Sequence, residues 1–166
     1  MNIFFSTGKL RLGPVGAILT DVDHLIATVQ SGELSVSYQE KKLMEASSIS
    51  LFAVVTSFYG GAVKFKAETN DIKPDLFTRV AGASKTTAGG RDKYTIGKLS
   101  KPLFSKLEFE GQDVDGNTGI ITLYKCYALA LPISLKLDDH ASVSLDFDGL
   151  PGTDGIVMDT SFVTPV

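Results

Sequence analysis

The sequence predicts a mostly β protein, a β-sandwich or barrel with one flanking α-helix and an extended hairpin loop. Three observations carry that prediction. Leu107 and Phe109 alternate with Lys106, Glu108 and Glu110, and Val143, Leu145 and Phe147 alternate with Ser144, Asp146 and Asp148. Such a period of two gives each strand one buried and one wet face. The chain carries sixteen glycines, which fit a fold with many turns. One stretch alone, residues 71–82, has apolar spacing of the helical kind. With 166 residues and no internal repeat or linker, residues 1–166 read as a single domain. A domain of this size buries about 70% of its unfolded surface.

The elements follow in order. Strands are expected at 8–12, closed by Gly13-Pro14, and at 17–19. Residues 26–38 read as one long strand in which Ile26, Thr28, Leu34, Val36 and Tyr38 share a parity and Gly32 marks a bulge or bend. Segment 39–48, QEKKLMEASS, interrupts the pattern. Strand character returns at 50–58 and, after a turn at Gly60-Gly61, at 62–68. Long strands bracketing a polar insert predict a hairpin whose tip projects from the body. In the helix, Asp71 caps the first turn, Pro74 is tolerated there, and Gly82 stops it. Ile72, Leu76, Phe77 and Val80 form its apolar face. Residues 83–93 read as a mobile loop ending in Gly89-Gly90-Arg91. Further strands are expected at 94–96, 104–110, 120–131, 135–137, 142–147 and 156–162.

Charge and composition bound the function. A net charge of −3 and a pI near 5.3 are poorly suited to gripping phosphates, which needs clustered Lys and Arg. A lone cysteine, Cys126, excludes an internal disulfide and reads as a small core residue. Ile3, Phe4 and Phe5 are too short a run for a signal peptide, and no stretch approaches the roughly 20 apolar residues of a membrane span. The expectation is therefore synthesis and folding in the cytoplasm.

Candidate chemistry is sparse. Asp113, Asp115 and Asn117 alternate like the first calcium ligands of a binding loop. Thr118 and Tyr124 then stand where that loop needs Gly and a bidentate Glu, and Asp115-Gly116 between two strands reads as a hairpin turn. His24 follows Asp21 and Asp23, and His140 follows Asp138 and Asp139. These are ordinary turn residues, without the ligand spacing of a zinc or iron site. No G-x-S-x-G elbow is present, and Gly89-Gly90-Arg91 lacks the Lys-Ser/Thr pair of a phosphate loop. The chain is expected to be no enzyme and to bind no cofactor or metal. Lys41 and Lys42, with Glu40 and Glu45 beside them and Leu43-Met44 between, admit two readings: a solvated loop, or an apolar contact ringed by charge.

The order of pieces resembles that of phage tail tube proteins, the major tail proteins. The resemblance rests on the opening Gly8-Lys9-Leu10-Arg11-Leu12-Gly13-Pro14-Val15-Gly16, on SGELSVSYQEKKLMEASS, and on the helix after Asp71. It continues through the Asp-x-Asp-Gly turn before GIITLYKCYAL to the closing LDDHASVSLDFDGLPGTDGIVMDTSF. It implies a β-sandwich subunit that forms hexameric rings, stacked into a hollow tube. Its partners would be copies of itself, the tape-measure protein, the tail terminator and tail-tip or baseplate proteins, and a sheath if the tail contracts. DNA would pass through without specific binding, no membrane would be involved, and the protein would reside in the virion tail. Tyr38, Glu40, Lys41, Lys42, Leu43, Met44 and Glu45 would form the inter-ring contact. Ser144, Asp146 and Asp148 would line the channel if their strand belongs to the inner sheet, or face outward solvent if it does not. The tube protein of a contractile secretion system is the near alternative. A small-ligand β-barrel, with an enclosed apolar pocket, is the more distant one.

Overall fold

Period-two patterning becomes ladder pairing along most of the chain. The computed structural model describes residues 2–5, 7–44, 53–71, 73–97, 103–112, 115–130, 133–134 and 142–162. The strands are β1 (Asn2–Phe5), β2 (Gly8–Gly13), β3 (Leu25–Val29), β4 (Ser31–Met44), β5 (Ala53–Thr69), β6 (Ser84–Ala88), β7 (Arg91–Thr95), β8 (Ser105–Gln112), β9 (Thr118–Ala130), β10 (Ile133–Ser134), β11 (Ser142–Leu150) and β12 (Met158–Phe162). Two short helices, α1 (Asp21–His24) and α2 (Asp75–Ala81), complete the description. The protein is mostly β, as its alternation predicts.

Ten strands form one antiparallel sheet in the order β1-β4-β5-β11-β9-β8-β2-β3, with β10 added to β11 and β12 added to β9. The sheet folds over on itself through β9. The first half of β9 pairs with β8, Phe109 opposite Ile121, and its second half pairs with β11, Asp148 opposite Tyr127. The β8–β9 ladder shifts register between Ser105 and Leu107, where β9 passes from one layer to the other. At the opposite seam the Gln30 N–H donates to the Glu68 carbonyl at 2.9 Å and the Thr69 hydroxyl donates to the Thr28 carbonyl at 2.7 Å. These bonds draw β3 against β5 and bring the two layers together on both sides.

The core lies between the layers. Leu34, Phe65, Leu145 and Phe147 come from β4, β5 and β11. Leu10, Leu12, Ile26, Leu107 and Phe109 face them from β2, β3 and β8, all buried. The Phe65 and Phe109 rings meet across the layers with centroids 5.1 Å apart. Three glycines make room for Phe109. Gly8 and Gly111 are cross-strand partners, and a Cβ on either would stand 2.5 Å from ring atoms of Phe109; one on Gly32 would stand 3.3 Å away. Gly32 is thus no bulge, contrary to expectation. It is needed because two aromatic rings pass close to the backbone.

Several boundaries differ from the sequence reading, each for a physical reason. Residues 26–38 form two strands, because Gln30 is the corner where the chain leaves β2 for β5. Residues 39–44 are strand, not loop: they continue β4 and pair with 53–59, and that ladder sets their conformation whatever the side-chain charge. Gly60-Gly61 is no turn; β5 runs through it with a register shift between Tyr38 and Gln39. Residues 83–93 are not a loop. They lie in a β6–β7 hairpin whose Gly89 and Gly90 adopt φ of +58° and +72°, the left-handed values its tight turn requires. Residues 17–19 pair with no strand among the described residues, although Leu19 is buried and Ile18 exposed. α2 begins at Asp75, with Pro74 at the N-cap position and no side-chain cap, so Asp71 does not cap it. Gly82, at φ +63°, stops the helix as predicted. Leu76 is the helix's buried anchor, Phe77 and Val80 are half-buried, and Ile72 lies outside the described residues. The strand expected at 135–137 also lies outside them.

The glycine notch generates a test. Gly111→Ala should lower the free energy of unfolding in urea by ~1–3 kcal/mol, because the added methyl overpacks Phe109. Adding Phe109→Leu to Gly111→Ala should recover part of that loss, whereas Phe109→Leu alone should destabilise. Strictly additive effects would show that ring and glycine are not in contact.

Candidate assembly surfaces

Apolar side chains pack between the layers, and the charged groups described below lie on the outer faces. Among the described residues, no group of three or more His, Cys, Asp or Glu is placed to hold a metal ion. Asp21, Asp23 and His24 form α1, where the Thr20 hydroxyl caps the Asp23 N–H. Asp113, Asp138, Asp139 and His140 lie outside the described residues. Asp115 and Gly116 sit between β8 and β9, with Gly116 at φ +83°. Cys126 is fully buried. It donates from Sγ to the Ser105 carbonyl at 3.3 Å, and burial pushes its thiol up to about 12, so it is an inert core residue at neutral pH. Among the described residues no helix is long and apolar enough to cross a membrane.

The outer face of β2 and β8 carries an ion cluster that alternation alone did not reveal. Arg11 is 8% exposed. Its guanidinium donates to Asp21, to Glu108 Oε1 at 2.7 Å and to Glu110. Lys9 Nζ reaches the other oxygen of Asp21 at 2.8 Å. Glu108 and Arg11 are direct cross-strand partners, as are Glu110 and Lys9, so ladder register brings these charges together. Asp21 ties α1 to the sheet through the same arginine. Hydrogen bonds from Lys9 and then Arg11 hold its carboxyl below the usual range. Three carboxylates close on two cations within it, every member in at least one ion pair, so the cluster is a clamp that ties α1 and β8 to β2.

The outer face of β4, β5 and β11 contains the residues predicted to line a channel. Ser144, Asp146 and Asp148 point away from the core and are half-buried. Register extends them into rows across three strands: Ser31–Glu68–Ser144, Glu33–Lys66–Asp146 and Ser35–Lys64–Asp148. Lys64 Nζ lies 3.7 Å from Asp148 Oδ1, and the Tyr127 hydroxyl donates to Asp148 Oδ2 at 3.3 Å. The carboxylates therefore alternate with ammonium groups and do not form a purely acidic strip. A polar depression of about 550 Å³ opens on this face beside Ser31, Glu33, Lys66, Glu68, Ser144 and Asp146. It differs from the enclosed apolar pocket of a ligand-binding barrel.

The β4–β5 hairpin runs beyond the body. Pairing of β5 with β11 extends from Thr69 only to Val63, whereas pairing of β4 with β5 continues to Met44 opposite Ala53. The ribbon from Gln39 to Met44 accordingly reaches roughly 20 Å past the three-stranded region. Tyr38 stands at its base, 71% exposed, with its ring over Gly61, its cross-strand partner. Glu40, Lys41, Lys42, Leu43 and Met44 lie on the ribbon's β4 strand. Glu45 lies outside the described residues. Two further surfaces stand out: the β6–β7 hairpin, read from the sequence as a loop, which joins no other sheet among the described residues, and β12, within the strand expected at 156–162, whose place at the border of the main sheet the sequence did not show.

The clamp predicts an acid dependence with a definite sign. The folded-state pKa of Asp21 is depressed, so its contribution is present above the unfolded value near 3.9 and is lost as pH falls through the folded one. Asp21→Asn should therefore flatten the loss of thermal stability below about pH 4 while changing its shape little near neutrality. Arg11→Ala should cost on the order of 2 kcal/mol at pH 7, because it leaves Glu108, Glu110 and Asp21 facing one another in a half-buried site. An unchanged melting temperature in Arg11→Ala would contradict the clamp.

No protein-family model matches the chain, and no curated protein matches it. Among solved structures it is similar to one described as a crystal structure of Hcp protein, at 10% sequence identity and a TM-score of 0.35, with 95% of this chain and 99% of that chain covered.

Proposed function

We propose that this chain is a self-assembling structural subunit of a phage tail, forming rings that stack into a hollow tube through which DNA passes. The observation that carries the proposal is the β4–β5 ribbon, which leaves the three-stranded face and, among the described residues, runs on as two strands. A two-stranded ribbon is marginally stable in water by itself and gains from lying against another surface. A second ring supplies that surface, with Leu43 and Met44 at the ribbon's end as the buried contact. The sequence resemblance to tail tube proteins supports the same reading. The protein would be made in the host cytoplasm and reside in the virion tail. It would meet the tape-measure protein inside the tube and terminator, tip or baseplate proteins at its ends.

The charge rows suit a DNA conduit. Phosphates are retained by unmatched Lys and Arg. If β11 faces the bore, Asp148 lies 3.7 Å from Lys64, Asp146 stands opposite Lys66 in the ladder, and the four carboxylates of the rows outnumber the two ammonium groups. A face with that excess of carboxylate would not hold DNA, although Lys64 and Lys66 are themselves exposed.

Two experiments test this. Leu43→Asp with Met44→Asp places charge in an apolar contact, at a cost of several kcal/mol. Subunits should stay folded by circular dichroism while polymer disappears from sedimentation profiles, and normal polymer growth would remove the ribbon from the stacking role. Asp146→Asn with Asp148→Asn removes the carboxylates beside both lysines. Assembled particles should form in normal yield but eject DNA more slowly, with a stronger dependence on salt. Unchanged ejection would place this face away from the bore.

A further inference from the structure

We propose that the β6–β7 hairpin is an intersubunit arm, and that its β7 strand adds to the free edge of β12 in a second copy of the chain. The inference rests on the assembly reading above and names a contact distinct from the β4–β5 ribbon.

Among the described residues the donor is an isolated two-stranded sheet. Residues Ser84–Ala88 are all exposed, and on β7 only Tyr94 is half-buried, its ring 6.1 Å from that of Phe77. Within the hairpin, Lys85 pairs with Asp92 at 2.9 Å and the Thr87 hydroxyl donates to Asp92 at 2.6 Å. That accounts for Lys85 and leaves the cations of β7, Arg91 and Lys93, without an ion-pair partner among the described residues. The arm carries a net charge of +2, Lys85, Arg91 and Lys93 against Asp92, in a chain whose net charge is −3.

The acceptor is complementary in length, charge and backbone. β12 is five residues long, like β7, and pairs with β9 on one side. Among the described residues no strand covers its other side. The Tyr124 N–H donates to the Val157 carbonyl at 3.2 Å. The alternation of an antiparallel ladder then turns the amides of Met158, Thr160 and Phe162 away from β9. Residues 151–162 contain Asp154 and Asp159 and no Lys or Arg. Asp159 accepts from the Tyr124 hydroxyl and Asp154 from the Ile156 N–H, and neither meets a cation among the described residues. Exposed Ile156 and Phe162 flank the edge, and exposed Ile96 follows β7. Unpaired edges invite strand addition. Opposite charge fixes β7 as the strand that is added.

The test is a charge exchange read by sedimentation, with circular dichroism to confirm folding. Arg91→Glu with Lys93→Glu, and separately Asp154→Lys with Asp159→Lys, should each weaken self-association by at least about tenfold. All four substitutions in one chain should restore most of it. Thr160→Pro, which removes an outward amide while sparing the bonds to β9, should weaken association without unfolding. If the wild-type protein assembles and either pair of substitutions leaves assembly unchanged, the arm is overturned and the assembly reading stands. A folded fourfold variant that stays dissociated also overturns the arm. A wild-type protein that is monomeric at every concentration overturns both.

Discussion

The contact on which the structure depends is that of Phe109 with Phe65, made across the two layers of one folded sheet. Phe109 leans over the backbones of Gly8 and Gly111, and its ring edge also meets Gly32. The glycines come from β2, β8 and β4, so a single side chain senses the spacing of strands from both layers. Offset and tilted aromatic pairs contribute beyond their buried area. Bare glycine backbone beneath the rings lets the layers approach more closely than Cβ-bearing strands would. β9 then has to cross between the layers, and the register shift near Ser105 follows from that crossing.

A core filled in this way places function on the surface, and the outer faces differ in how far their chemistry is satisfied. On β2 and β8 the charges close on one another around Arg11, and the face holds a helix in place. On β4, β5 and β11 they alternate in rows, which makes the face polar but weakly charged. The ribbon beyond Tyr38, the β6–β7 hairpin and β12 have backbone edges that no described strand covers. A monomer gains little from long uncovered edges, and a polymer covers them.

The sequence was most legible where alternation coincided with burial. β8 and β11 follow the expected parity, because Leu107, Phe109, Val143, Leu145 and Phe147 all face the core. It was least legible where pairing, not patterning, decides the outcome. Gln39 to Met44 is too charged to read as strand, yet the chain returning at 53–59 pairs with it. Gly60-Gly61 and Gly89-Gly90 look alike, and one lies within a strand while the other makes a tight turn. Only the partner strand distinguishes them. The Gln30 corner carries no local marker, since its reason is a carbonyl on Glu68. Of the surfaces, Asp146 and Asp148 were visible as wet-face residues. That Lys66 and Lys64 of β5 stand beside them was not, because register between strands distant in sequence is invisible in either strand alone.

The most direct measurement is negative-stain electron microscopy of the purified full-length protein over a range of concentrations. The account predicts rings with a central hole, or tubes built from them, growing in length with concentration. Uniform compact particles of monomer size at every concentration would contradict it.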